Sequence, residues 1–184
     1  QNFLINEYII NTIIEILDIK ADDFILEVGP GRGALTKDII KKTKNYIGVE
    51  KDKNLRNFLK NIYKENLDIR NEDILNFNFE KAFKKNYRVI GNIPYNISTK
   101  LLMKCIEKKN YISQIHLMMQ KEFVDRVTSN HGSKSFGRLS VIIQIFFKAE
   151  KYIDIDPSNF DPEPKIYSSF MSLVPLKKIL LEEN

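Results

Sequence analysis

Strand-forming runs alternating with helix-forming ones constrain this chain more than any other feature of its sequence. Runs suited to strands occur at 24–29 (FILEVG), 46–50 (YIGVE), 67–73 (LDIRNED), 88–93 (RVIGNI) and 114–120 (QIHLMMQ). Around them, apolar residues recur at helical spacing. Ile9, Ile10, Ile13, Ile14 and Leu17 follow a candidate N-cap at Asn6; Leu35, Ile39 and Ile40 share one face of 34–42; and 54–63, 98–109 and 121–129 continue the pattern. This alternation predicts a parallel, doubly wound sheet with helices on both faces, because crossovers between parallel strands are right-handed.

The pattern changes beyond residue 130. A polar loop, SNHGSKSFGR (129–138), precedes Leu139, Ile142, Ile143, Phe146 and Phe147 at helical spacing. KYIDID (151–156) and YSSFMSLV (167–174) then read as two late strands, an antiparallel hairpin at the far edge of the sheet. Pro157, Pro162 and Pro164 argue against regular structure in 156–165. The expected fold class is α/β, with a mostly parallel doubly wound sheet and a late antiparallel hairpin.

Composition excludes several classes of function. The 184 residues suffice for one well-packed domain. No apolar run approaches the roughly 18 residues of a membrane helix, so no membrane partner is expected. Cys105 is the only cysteine, which excludes an internal disulfide framework and points to a reducing compartment, the cytoplasm or an organellar matrix. His116 and His131 stand apart with no cluster of Cys or His beside them, so no metal site is expected. A net charge of +5 favours an anionic partner without specifying one.

The first strand runs into EVGPGRGALT (27–36), where Gly29, Gly31 and Gly33 allow a tight turn and close approach of a ligand. The spacing is neither the G-x-G-x-x-G of dehydrogenases nor a P-loop, and a simple strand-to-helix turn explains it equally well. Glu50 ends the second strand and Asp73 the third, which brings both to the carboxyl edge of such a sheet. Glu50 there can accept from both hydroxyls of a ribose, and Asp73 from an adenine amine. Each carboxylate alone is also a plausible turn or helix cap. Together, beside a glycine loop, they indicate an adenosine-containing ligand. S-adenosylmethionine suits the loop better than NAD, because it has no pyrophosphate to anchor at a helix N-terminus.

The fourth strand ends in Asn92-Ile93-Pro94-Tyr95. An adenine amine is a poor nucleophile because its lone pair is delocalised into the ring. Two acceptors at the NH2 group, the Asn92 side-chain carbonyl and the Ile93 backbone carbonyl, favour a more tetrahedral nitrogen. Pro94 keeps Ile93 out of the helical region and aims that carbonyl. Tyr95 is expected as an exposed ring on which a purine stacks. A strand end turned by Asn-Pro, with Tyr95 capping the core, is the plain alternative. Cys105, Met118 and Met119 lie in apolar company and are expected in the core.

QNFL (1–4), EVGPGRGALT (27–36), NIPYNIST (92–99), QKEFVDRV (120–127), GRLS (137–140) and FDPEPK (160–165) occur in this order over nearly the whole chain. In this the sequence resembles the ribosomal RNA adenine dimethyltransferases of the KsgA type. The glycine loop is generic, whereas NIPYNIST with QNFL and the Phe-x-Pro-x-Pro-Lys stretch is specific. The resemblance implies a Rossmann-like, S-adenosylmethionine-dependent methyltransferase. Its substrate would be two adjacent adenosines near the 3′ end of small-subunit ribosomal RNA, in the assembling subunit. It further implies that Asn2, Leu4, Gly29, Gly31, Glu50, Asp73 and Asn92 line the cofactor site, and that Tyr95 and Phe160 sandwich the target adenine. For Phe160, core packing is the alternative. Lys121, Arg126, Lys134 and Arg138 are candidates for RNA phosphates, with ordinary surface charge the alternative for each.

The expected organisation is a catalytic domain over 1–175 and the start of a helical C-terminal region at 176–184, acting as a monomer. Two other functions compete: an erythromycin-resistance-type methylase of large-subunit RNA, and a non-enzymatic RNA-binding assembly factor on the same fold.

Overall fold

A computed structural model gives the structure of residues 2–63 and 67–177. The expected C-terminal helical region lies outside these described residues from 178 onward. In chain order the elements are β1 (Phe3–Leu4), α1 (Glu7–Leu17), β2 (Ile25–Val28), α2 (Thr36–Lys42), β3 (Tyr46–Glu50), α3 (Lys53–Tyr63), β4 (Asp68–Asn71) and β5 (Tyr87–Asn92). They continue with α4 (Ser98–Glu107), β6 (Ile112–Gln120), α5 (Lys121–Thr128), α6 (Arg138–Phe146), β7 (Phe147–Ile155), β8 (Phe160–Asp161) and β9 (Ser168–Pro175). Asn6 caps α1 as its sequence suggests, its side chain accepting from the Tyr8 and Ile9 amides.

Seven strands form the main sheet in the order β4-β3-β2-β5-β6-β9-β7. The first five of these run parallel, and β9 and β7 are antiparallel to their neighbours. This is the expected doubly wound arrangement with its late hairpin, and β7 is the edge strand. The chain winds outward from β2 through β3 to β4, then returns to β5 on the other side of β2. The switch point therefore lies between β2 and β5, where a crevice opens at the carboxyl ends of the strands.

Side chains alternate across the central strands into two cores. Leu26, Val89, Leu117 and Met119 face one side with Leu101, Cys105, Val124 and Ile143 of α4, α5 and α6. Ile25, Ile90 and Met118 face the other with Ile13 of α1, Ile39 of α2 and Leu59 of α3. Period-two alternation with apolar residues on both faces is what a sheet covered by helices on both sides requires. Gly91 has no room for a side chain: a Cβ there would lie 2.5 Å from the Val28 carbonyl oxygen. Cys105 is buried and its thiol pushed up to about 12 by burial, as suits a core residue.

Three boundaries differ from the expectation. Phe147 does not continue α6 but opens β7, which starts four residues earlier than read; buried at the start of a strand paired with β9, it follows the ladder rather than the helical spacing. The third strand stops at Asn71, so Asp73 stands in the turn after it. The proline-rich segment 156–165 is not wholly irregular, because Phe160–Asp161 pairs antiparallel with Phe3–Leu4. Pro157 opens a 3-10 turn and Pro162 follows the pair, so neither proline costs the short ladder a donor.

Candidate active site

Register builds the site. Val28 stands opposite Val49 on one side and Gly91 on the other, so the next residues, Gly29, Glu50 and Asn92, emerge at one level of the sheet edge. A cleft of about 450 Å³ opens there and takes in all the residues expected from the sequence, Asn2, Leu4, Gly29, Gly31, Glu50, Asp73, Asn92, Ile93, Pro94, Tyr95 and Phe160.

Glu50 is 1% exposed, and its carboxylate ties the second strand to the glycine loop. Oε2 accepts from the Gly31 amide at 3.0 Å and Oε1 from the Asp52 amide at 2.9 Å. Burial raises its pKa, and the two backbone hydrogen bonds oppose that rise. Gly31 has φ +60°, and a Cβ on it would meet the Phe3 ring at 3.2 Å. A side chain there would be strained in the backbone and crowded by the N-terminal segment together. Gly29, also at positive φ, donates to the Val49 carbonyl at 2.9 Å.

Asp73 caps the turn after β4 and also lines the cleft. Oδ1 caps the turn by accepting from the Leu75 amide, and Oδ2 meets Lys51 Nζ, each at 2.9 Å. These partners hold the carboxyl below its ordinary range, the Leu75 amide contributing most. It therefore lines the cleft as an ionised acceptor.

At the end of β5, the Asn92 amide nitrogen donates to the Asn2 carbonyl at 3.2 Å. The Ile93 amide donates to Met118 at 2.9 Å, and its side chain is buried. Among the described residues no donor reaches Asn92 Oδ1 or the Ile93 carbonyl. Pro94, at φ −57° and ψ 134°, turns the chain into a 3-10 turn over Tyr95–Ile97 that leads into α4. Tyr95 is not the exposed ring expected: it is half-buried, its hydroxyl 3.0 Å from Ser168 Oγ at the start of β9. A phenol brought against the protein needs such a partner for its hydroxyl.

The N-terminal segment closes over the loop. Asn2 bonds through its amide nitrogen to the Pro162 carbonyl, and Arg32 lies 4.4 Å over the Phe3 ring while pairing with Asp161 at 3.0 Å. Leu4 is buried, and Phe160 leaves only 4% of its surface exposed among Leu4, Ile155 and Phe170. Phe160 thus walls the cleft from within the core.

Glu27 was not singled out by sequence reasoning. It is 2% exposed and lines the cleft, with Oε2 accepting from Tyr46 Oη at 2.6 Å and Thr36 Oγ1 at 2.8 Å. Burial pushes its carboxyl up to about 7. The available signal was a carboxylate inside an otherwise apolar strand.

Solved structures with the same backbone define the class. A dimethyladenosine transferase from Plasmodium falciparum matches with TM-score 0.85 and 31% identity, covering 95% of this chain and 63% of that one. The 23S rRNA methyltransferase ErmE matches with TM-score 0.85 and 28% identity, covering 98% and 72%. In fold this is a Rossmann-like, S-adenosylmethionine-dependent methyltransferase domain. The chain belongs to the ribosomal RNA adenine dimethylase family, whose profile, described as "Ribosomal RNA adenine dimethylase", matches residues 1–183. Among curated relatives, the ribosomal RNA small subunit methyltransferase A of Malacoplasma penetrans is 45% identical over 174 residues, covering 94% of this chain. That of Legionella pneumophila (strain Corby) is 40% identical over 179 residues, covering 96% of this chain and 70% of the relative. The chain spans 63% of the length of the Malacoplasma protein.

Proposed function

We propose that this chain methylates the N6 amines of two adjacent adenosines near the 3′ end of small-subunit ribosomal RNA, to the dimethylated state, during ribosome biogenesis. The observation that carries this reading is the pair of open acceptors at the end of β5, Asn92 Oδ1 and the Ile93 carbonyl, beside the glycine loop. Two acceptors can hold both hydrogens of an NH2 group and turn its lone pair out of the ring. The working partner is the assembling small subunit, met by a monomer in the cytoplasm.

The residues fit S-adenosylmethionine. Each Glu50 oxygen keeps a lone pair for a ribose hydroxyl, and Asp73 is an ionised acceptor for an adenine amine. Asn2 and Leu4 close the cleft from the N-terminal side, and Gly29 and Gly31 keep its floor clear of side chains. Three carboxyl groups, Glu27, Glu50 and Asp73, face a ligand that carries positive charge. When bound, the cofactor supplies a sulfonium methyl that the amine nitrogen takes as the carbon–sulfur bond breaks. Asn92 and Ile93 hold that amine in line, Pro94 fixes their direction, and Tyr95 supports the base. No general base is needed, because the methylated ammonium loses its proton to water. Rate then comes from positioning and electrostatics.

Calorimetric titration tests the cofactor: S-adenosylmethionine binds and NAD does not, and the reverse result ends the methyltransferase reading. The runner-up, methylation of large-subunit RNA, shares the backbone, since ErmE matches with the same TM-score as the dimethyladenosine transferase, so the fold alone does not separate the two. Incubation with each naked subunit and labelled cofactor separates the two. Label confined to large-subunit RNA would overturn the main proposal, and label in neither RNA would leave a non-enzymatic assembly factor.

A further inference from the structure

The proposed chemistry leaves a partly buried cation, Lys104, without a task. It stands in the last turn of α4, and its Nζ donates to the Leu75 and Phe77 carbonyls, each at 2.7 Å. The ammonium also lies 5.1 Å from the centre of the Phe79 ring. Burial lowers its pKa, and the nearby Glu72 charge opposes that shift. An ammonium drawn out of water must be hydrogen-bonded where it arrives, and here backbone carbonyls receive it.

Those carbonyls belong to the turn that presents Asp73. β4 stops at Asn71, so no strand ladder holds this turn. The Asp73 carbonyl accepts from the Asn76 amide at 2.8 Å and the Phe77 amide at 3.0 Å, and Asp73 Oδ1 accepts from the Leu75 amide. Leu75 and Phe77 are thus each held from both sides, the amide on Asp73 and the carbonyl on Lys104. Ile74, between Asp73 and Leu75, is buried and lines the cleft. Lys104 therefore fixes the two residues on which the direction of Asp73 depends.

α4 reaches from one half of the site to the other. It begins directly after the Tyr95–Ile97 turn that follows Asn92 and Ile93, and its last turn carries Lys104. Lys108 lies on the same face one turn further on and pairs with Glu80 at 2.7 Å. That second lysine provides an internal comparison. It comes from the same stretch of chain, but its partner is a half-exposed carboxylate that does not line the cleft.

We infer that Lys104 is a positioning residue for the adenine of the cofactor: through Leu75 and Phe77 it holds the turn in which Asp73 receives the adenine amine. The inference rests on S-adenosylmethionine as the cofactor, with its adenine at Asp73. The test compares S-adenosylhomocysteine with S-inosylhomocysteine, which carries a carbonyl oxygen in place of that amine. Calorimetry gives the ratio of the two affinities. The wild type prefers the amine, because a carboxylate accepts from it and repels an oxygen, and Asp73→Ala abolishes the preference. Lys104→Met keeps the length of the side chain but loses both hydrogen bonds. It lowers the ratio about 10-fold, the scale of hydrogen bonds to a charged group. In the Asp73→Ala background the same change lowers the ratio no further. Lys108→Met leaves it at the wild-type value. Lys104→Gln, which keeps a donor, falls between, and it carries the test where the methionine variant fails to fold. A wild-type ratio in the Lys104 variants overturns the inference alone, since a merely structural role lowers both affinities together. Absence of any preference in the wild type overturns the placement of the adenine at Asp73, and the inference with it.

Discussion

The side-chain amide of Asn92 donates to the backbone carbonyl of Asn2, tying the end of β5 to a segment 90 residues earlier in the chain. The bond fixes which way the amide faces: its nitrogen is spent on the N-terminal segment, and Oδ1 is left for the cleft. Asn92→Ala removes that acceptor and is expected to lower methyl transfer by about 100-fold or more, the scale set by loss of one preorganised polar group. RNA affinity should stay within about twofold, because phosphate contacts elsewhere carry it. Single-turnover transfer and RNA binding measured on one preparation check both halves, and an unchanged transfer rate refutes the role given to Asn92.

Arg32 clasps the same N-terminal segment from the other side, through Asp161 and the Phe3 ring. Both partners of the ion pair are more than half exposed, so its loss should cost at most about 1 kcal/mol of stability. Its effect on binding should be larger, because Phe3 packs over Gly31 at the floor of the cleft. Arg32→Ala is expected to weaken S-adenosylmethionine binding several-fold with a melting temperature close to wild type. Calorimetry beside a thermal melt distinguishes this from general destabilisation.

Gly91 offers a test of the sheet itself. A methyl group there would press to 2.5 Å from the Val28 carbonyl, which is backbone in a central strand and cannot swing aside. Gly91→Ala should destabilise the fold by about 1–3 kcal/mol, the usual cost of overpacking a core. It should also reduce methyl transfer, because the β2–β5 pair sets the level of Asn92 against Gly29. A denaturant midpoint equal to wild type would count against this account of the pairing.

The sheet was legible because its strands carry apolar residues on both faces between turns rich in glycine and acid, a pattern with few alternatives. Glu50 and Asn92 were legible for the same reason, since a polar residue ending an apolar strand lands at the carboxyl edge. Phe147 departs from the helical expectation because it keeps helical spacing with Ile143 while its backbone already pairs with β9. Local periodicity carries no information about that long-range ladder. Phe160–Asp161 leaves no mark in the sequence pattern, because a two-residue strand has no period and its partner lies at the other end of the chain. The Ser168 hydroxyl under Tyr95 has the same origin, as a contact between residues 73 apart.

Glu27 yields a pH dependence whose sign is fixed by burial. Its carboxyl rises from 4.5 to about 7, chiefly because the cleft floor strips its water; Tyr46 and Thr36 donate to it in opposition, and the neighbouring Glu50 charge adds to the rise. Tyr46 stays a donor throughout, since burial and the Glu27 charge hold its phenol well above the ordinary range. The folded chain therefore retains a proton between pH 4.5 and about 7 that the unfolded chain gives up. Stability from this group is fully present below 4.5 and is lost as pH rises through about 7, a change of about 3 kcal/mol over the window. Glu27→Gln keeps an acceptor for both donors but cannot ionise. It should remove this component of the slope and be more stable than wild type at pH 8 without ligand. A cationic ligand in the cleft acts in the opposite direction by favouring the carboxylate. S-adenosylmethionine affinity should therefore fall as pH drops below about 7 in the wild type, with proton release on binding, and not in Glu27→Gln. Denaturant midpoints across pH and calorimetry in two buffers of different ionisation enthalpy measure the two effects. Parallel pH profiles for wild type and variant would place the titration on another group.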